Sequence, residues 1–201
     1  MIVKEALQAA RAAYDIEAAC IQEMKEHFDE AQFSKAVELL STAERIGAAG
    51  CGHSGIICQH FAHLMCCIER PARFISPAEA VHGATGFLQK GDVMVFASRG
   101  GKTKELLPIV EICKAKGVRM IAVTENMESP LAQAADVVLK QHVNRETDKW
   151  NAQGTTSTTA LCMIFHALQA AVIEQTGYQA EQFALIHPGG AVGERLNNKM
   201  L

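Results

Sequence analysis

The sequence has little net charge, no paired-cysteine motif, no long apolar run and no repeat, and each shortage removes a class of function. Nineteen Lys and Arg against 22 Asp and Glu leave a formal charge of -3. That balance offers no electrostatic case for nucleic acid or for an anionic membrane. No stretch reads as apolar for long enough to span a bilayer. Lys4, Glu5, Arg11, Asp15 and Glu17 stand where a signal peptide needs an apolar core. The seven cysteines are odd in number and never spaced Cys-x-x-Cys. They read as reduced, mostly buried thiols of a cytoplasmic protein rather than as a disulfide framework. No low-complexity tract or linker divides the chain, so a single domain over 1–201 is expected.

What remains is a composition of 49% hydrophobic and 20% charged residues, enough to bury a substantial core. Val3, Leu7, Ala10, Tyr14, Ala18, Ile21, Met24 and Phe28 recur at steps of three or four. That spacing is the seam of a helix packing lengthwise on another helix. A second helix is expected at about Ala31–Ala43, and this helical extension, residues 1–43, reads as a subunit-boundary element. From Arg45 onward, short apolar runs alternate with helical stretches. Ile46–Gly50, Arg73–Ile75, Val93–Ser98, Met120–Thr124 and Val137–Leu139 read as five buried strands. Helices are expected at Ser54–Ile68, Lys104–Lys116, Ser129–Ala134 and Thr155–Thr176, with a short turn after Pro77. From Glu181 on, a short helix and a glycine-containing tail complete the chain. The pattern predicts an α/β three-layer sandwich: a five-stranded parallel sheet, flavodoxin-like, plus N-terminal helices.

Three polar loops punctuate this plan. Gly50-Cys51-Gly52-His53-Ser54-Gly55 follows the first strand and opens a helix. Glycines there permit tight turning, while the N–H groups and dipole of the helix start attract an anion. The pattern Gly-x-Gly-x-x-Gly is complete, but a dinucleotide site wants an acid closing the next strand, which ends in Ser76-Pro77. Ser98-Arg99-Gly100-Gly101-Lys102-Thr103-Lys104-Glu105 repeats the logic after the third strand, and Thr155-Thr156-Ser157-Thr158-Thr159 repeats it before the long helix. Each alone is an ordinary cap; together in one small domain they favour a phosphate ligand. Acid–base groups stand nearby in sequence at His82, Glu105, Glu146 and His187, and spacing alone does not group them.

Four segments do group them. Gly-Cys-Gly-His-Ser-Gly, Ser-Pro-Ala-Glu-Ala-Val-His-Gly, Thr-Ser-Thr-Thr and Phe-Ala-Leu-Ile-His-Pro-Gly-Gly-Ala-Val-Gly resemble the sugar isomerase (SIS) domain family. The likeness is greatest to the isomerase domain of arabinose 5-phosphate isomerases, and it covers Arg45 to Leu196. It implies interconversion of arabinose 5-phosphate and ribulose 5-phosphate through an enediol, with no metal or organic cofactor. It also implies a homodimer or homotetramer whose subunits share a site and contribute a His across the interface. By the resemblance, Gly52, Ser54, Ser98, Thr103, Ser157 and Thr158 hold the phosphate. His82, Glu105, Glu146 and His187, with His53, are the catalytic positions. Glu146 is then expected as the carbon base and a His as the oxygen-side acid, with burial bringing both pKa values toward neutrality.

The chain departs from the family at His53, where a lysine is usual, and at Gly100, where a second hydroxyl is usual. Arg99 and Lys102 are expected to return positive charge to that loop. The pair of CBS repeats that commonly follows has no counterpart in these 201 residues. The alternatives are a non-catalytic sugar-phosphate sensor and a hexulose-phosphate isomerase. His60, His63 and Cys67 share a helix face at i, i+3, i+7, a spacing for a soft metal that buried packing also explains. Cys51, at a helix start, is a candidate for a lowered thiol pKa or a plain packing residue. The Trp150 neighbourhood reads as a lid or interface element.

Overall fold

The computed structural model of the chain describes residues 2–197; Met1 and residues 198–201, part of the expected 1–201 span, lie outside the described residues. Five strands form one parallel sheet in the order β2-β1-β3-β4-β5. They are β1 (Ile46–Gly50), β2 (Ala72–Phe74), β3 (Val93–Ala97), β4 (Arg119–Thr124) and β5 (Val137–Lys140). The three central strands are apolar runs because both of their faces are covered, and β1 and β3 are buried at every residue. The expectation of five buried strands fails at the edges, where β2 is only partly covered and β5 alternates. An edge strand has one neighbour and less helix over it.

Two helices precede the sheet, α1 (Lys4–Met24) and α2 (Glu30–Thr42). Within the sheet region run α3 (His53–Cys66), α4 (Pro77–Ala80), α5 (Leu107–Lys116) and α6 (Pro130–Ala134). The long α7 (Thr156–Thr176), then α8 (Ala180–Ile186) and α9 (Gly190–Asn197), complete the order. The sheet and its helices on both faces are the three-layer sandwich that the alternation of runs predicts. One core cluster lies under α2, α3 and α7 around Phe61, Phe165, Leu40 and Ile46. The other lies under α5 and α6 around Phe96, Leu106 and Ile109.

Two readings need correction. The last described stretch is not a tail: Gly190 at φ 70° turns the chain into α9. Segment α7 is, by length and composition, apolar enough to cross a membrane, contrary to the reading that no stretch is. In the fold it is a core helix, with Leu161, Phe165, Leu168 and Val172 buried against the sheet layer. The apolar seam of α1 faces away from its own domain. Cys20 and Met24 are buried, while Val3, Leu7, Tyr14, Ile21 and Phe28 are exposed. Only Met24 belongs to both faces. The chain therefore covers a different stripe of α1 than the regular apolar one.

The candidate functional site

Strand β1 connects outward to β2 on one side and the chain returns to β3 on the other. The crevice beyond the carboxyl ends of β1 and β3 is thus the topological switch point of the sheet, where ligands of such folds bind. Gly50 and Ala97 are register partners, so the first two polar loops leave the sheet side by side. The three glycines of the first loop have separate reasons. A Cβ on Gly50 would lie 2.9 Å from the Ser54 backbone, and one on Gly55 2.7 Å from the Gly50 carbonyl oxygen, so both permit close approach of strand and helix. Gly52 adopts φ 56°, ψ -131°, a conformation open to glycine. It is the N-cap of α3 and supplies no side-chain cap. The Gly55 N–H donates to the Cys51 carbonyl at 3.4 Å, which leaves the N–H groups of His53 and Ser54 at the helix start as donors for a ligand.

The second loop folds on itself. Ser98 is buried and its Oγ lies 2.9 Å from the Thr103 hydroxyl, while the Gly101 N–H donates to Ser98 Oγ at 3.1 Å. Gly101 is at φ 63°, and a Cβ there would fall 2.0 Å from Ser129 Oγ. The helix starts later than expected, at Leu107, leaving Lys102, Lys104 and Glu105 exposed on the turn before it. The charge of Glu105 contributes to raising the Cys51 thiol, after the larger effect of burial. Cys51 is therefore not the activated thiol its helix-start position allowed.

Glu146 organises the third loop. It is buried, 2% exposed. One carboxylate oxygen accepts from the Arg99 guanidinium at 2.7 Å. The other accepts from the Thr155 N–H at 2.9 Å, the Ser157 N–H at 3.1 Å and the Thr155 hydroxyl at 3.2 Å. The carboxylate thus caps α7 from outside the helix and meets its positive end. Burial alone would raise its pKa, but hydrogen bonds from Ser157 and Thr155 and the Arg99 charge together hold it below the usual carboxylate range. The expected rise toward neutrality is not met. Arg99 is spent here too: it binds Glu125 at 2.7 Å and the Val143 carbonyl at 3.3 Å. Its expected service to the phosphate loop is replaced by this carboxylate network.

Around Glu146, Asp148 accepts N–H bonds from Trp150, Ala152 and Gln153, and Asn151 accepts the Glu146 N–H at 2.6 Å. These two side chains shape the loop, and Trp150 stands 70% exposed at its tip. Sequence reasoning missed both. Their clustering of Asp and Asn between a strand and a helix was the available signal. Helix α1 shelters the loop: Glu17 accepts the Thr159 hydroxyl at 2.8 Å and the Cys20 thiol donates to the His142 carbonyl.

The three loops meet. Gly154 lies against the His53 ring, where a Cβ would be 3.1 Å away, joining the α3 start to the α7 start. Arg99 joins the β3 loop to the same point. His53, Ser54, Ser98, Thr103, Glu146, Ser157 and Thr158 are therefore at one end of the sheet, and Glu105 lies on the turn before α5 at that same end. Thr158 Oγ1 donates to the Gly154 carbonyl at 2.5 Å. His82 is exposed on the turn after α4, beyond edge strand β2. His187 is elsewhere. It follows α8, which Gln182 ties to Glu69 at the opposite end of the sheet, and its ring lies tilted against Phe183, with centroids 5.0 Å apart. Its Nδ1 is buried without a hydrogen-bond partner.

The family profile described as the SIS domain matches residues 39–171. The arabinose 5-phosphate isomerase KdsD of Pseudomonas aeruginosa is 40% identical over 165 residues, 82% of this chain and 51% of that protein. The arabinose 5-phosphate isomerase KpsF of Escherichia coli is 35% identical over 181 residues, 90% of this chain and 55% of that protein. The chain spans about half the length of the curated relatives it matches. Among solved structures, a candidate sugar-phosphate isomerase from Listeria monocytogenes superposes with TM-score 0.89 at 38% identity, covering 94% of this chain and all of that one. A protein of Escherichia coli, solved in complex with arabinose 5-phosphate, superposes with TM-score 0.84 at 26% identity, again over 94% of this chain and all of that one.

Proposed function

The chain belongs to the SIS domain family, and from that premise we propose that it is an aldose–ketose isomerase of the arabinose 5-phosphate/ribulose 5-phosphate type, working through an enediol. The observation that carries this reading is the open, uncapped start of α3 beside the Ser98–Thr103 hydroxyl pair at the β1/β3 switch point. A phosphate dianion there gains the free α3 amides, the helix dipole and the hydroxyls of Ser54, Ser98 and Thr103. Ser157 and Thr158 close the same side. The relatives named for arabinose 5-phosphate isomerisation and the neighbour bound to arabinose 5-phosphate support the sugar.

In the proposed reaction, one proton moves between C1 and C2 of the open-chain sugar while a second moves between the two oxygens. Glu146 is proposed as the carbon base. It is ionised at neutral pH, as a base must be, and it exchanges its Arg99 or α7 contacts for the substrate carbon when it acts. The hydrogen bonds that both Glu146 oxygens already make favour a second reading in which Glu105, exposed on the turn before α5, is the base. Comparing Glu146→Gln with Glu105→Gln separates them, because full turnover in either variant removes that residue from the role. His53 or His82 supplies the oxygen-side acid. His187 is proposed to serve the site of a neighbouring copy in a cytoplasmic homo-oligomer, since its own chain holds it at the far end of the sheet. The exposed α1 seam is the proposed contact, and gel filtration with and without residues 1–28 tests it: an unchanged oligomer removes the seam from that role.

The deciding experiment is proton exchange at C2, followed by NMR in heavy water with a panel of aldose and ketose phosphates. Exchange with arabinose 5-phosphate or ribulose 5-phosphate is expected. Binding of several sugar phosphates without exchange would overturn the isomerase reading in favour of a sensor.

A further inference from the structure

The spacing of His60, His63 and Cys67 along one helix is not the grouping the fold makes. Cys67 Sγ approaches His63 Nε2 at 3.6 Å, while His60 turns to the neighbouring helix. There His60 Nε2 lies 3.2 Å from His166 Nε2, and Cys162 Sγ lies 3.3 Å from that same nitrogen. All three atoms fall within 4.8 Å of one another. We propose that His60 of α3 with Cys162 and His166 of α7 form a transition-metal site, of the class that takes zinc.

The first argument is proton bookkeeping. A neutral His166 Nε2 has either one N–H or one lone pair, yet two other groups converge on it. A cation at the centre of the triangle satisfies all three. The second is dimension. Tetrahedral zinc with nitrogen and sulfur ligands sets N···N at about 3.3 Å and N···S at about 3.6 Å. The His60–His166 and Cys162–His166 separations are already near those values, and only the Cys162–His60 edge has to contract. The third is preorganisation. Phe61 and Phe165, each adjacent in sequence to a ligand, are fully buried and pack with their ring centroids 4.4 Å apart. Gln169 donates to the Leu64 carbonyl at 2.8 Å, pinning the same two helices one turn further on.

Two imidazoles and a thiolate suit a borderline-soft divalent ion, and a fourth position stays open for water. On binding, the Cys162 S–H proton leaves to solvent as the metal–sulfur bond forms. His60 is six residues past Ser54, about 9 Å along the helix axis. The site is thus separate from the crevice, and it joins the two helices whose starts line that crevice. Its consequence is a clamp between α3 and α7, whatever reaction the crevice performs.

The test uses metal-free full-length protein kept reduced with a phosphine, titrated with Co(II) and then Zn(II). One Co(II) per chain is expected, with a thiolate-to-cobalt charge-transfer band that Zn(II) displaces. Cys162→Ser should abolish the band, and His166→Gln should weaken Zn(II) binding by about tenfold or more. Cys67→Ser and His63→Ala should change neither. Circular dichroism checks that each variant is folded, and either of the two site variants suffices if the other is not. No band in the wild type, a band that survives Cys162→Ser, or one lost in Cys67→Ser overturns the assignment.

Discussion

The starts of α3 and α7 lie at the same end of the sheet and are finished in opposite ways. At α3 the chain arrives through glycine, the N-cap has no side chain to offer, and the first amides are left open. At α7 the N-cap Thr155 makes no side-chain cap of its own, and Glu146 fills the end with a carboxylate that also holds Arg99. A helix end already neutralised by an internal anion gains little from an external one, whereas an open end gains the full interaction. In the proposed site the difference gives the two ends different work: α3 would receive the phosphate, and α7 would hold a carboxylate and its neighbouring hydroxyls in position.

The largest effect is expected from closing the open end. Gly55→Val puts side-chain atoms where even a Cβ lies 2.7 Å from the Gly50 carbonyl. Denaturant unfolding should show a loss of about 3 kcal/mol or more, and arabinose 5-phosphate should no longer protect the protein. Unchanged stability would mean that the glycine packing is not what holds the loop.

Next comes emptying the filled end. Glu146→Gln leaves the α7 amides an uncharged acceptor and Arg99 with Glu125 alone. Arg99 is 40% exposed, so the loss should be about 2 kcal/mol, below that of a fully buried pair.

The same contrast has a pH signature. Because the folded-state pKa of Glu146 lies below its ordinary value of 4.5, the stability it contributes is fully present above that value. It is lost as pH falls through the folded value. A thermal-melt series in acid should show this limb in the wild type and a flatter one in Glu146→Gln. Equal limbs would assign the acid sensitivity to other carboxylates.

The smallest effect on folding should come from Ser54→Ala, within about 0.5 kcal/mol as for other surface changes. Its effect should fall on affinity for a sugar phosphate or inorganic phosphate, about tenfold weaker by calorimetry for one lost charge-assisted hydrogen bond. A comparable loss in Ser157→Ala with none in Ser54→Ala would reverse the comparison.

Much of the fold was legible. Ile46–Gly50 and Val137–Leu139 read as strands because short apolar runs alternated with helical stretches, and they are strands with ends within a residue. The first glycine loop was legible because each glycine answers a local backbone demand. Glu146 was legible as a residue of interest, but its condition was not. Its Arg99 partner lies 47 positions away in sequence, and no periodicity links a strand-end arginine to a carboxylate before a later helix. His60 shows the same limit, since the helical spacing pointed to His63 and Cys67 while the contact is 106 positions distant.

By itself, then, the sequence determined the alternation of elements, the parallel sheet and the glycine turn into α3, because these follow from hydrophobic period and backbone freedom over a few residues. Tertiary structure alone decided which helix end stays free, which histidines meet and on which face α1 is left uncovered. Those outcomes depend on charges and faces brought together across the fold, where Coulomb attraction and burial act over ångströms and chain separation counts for nothing.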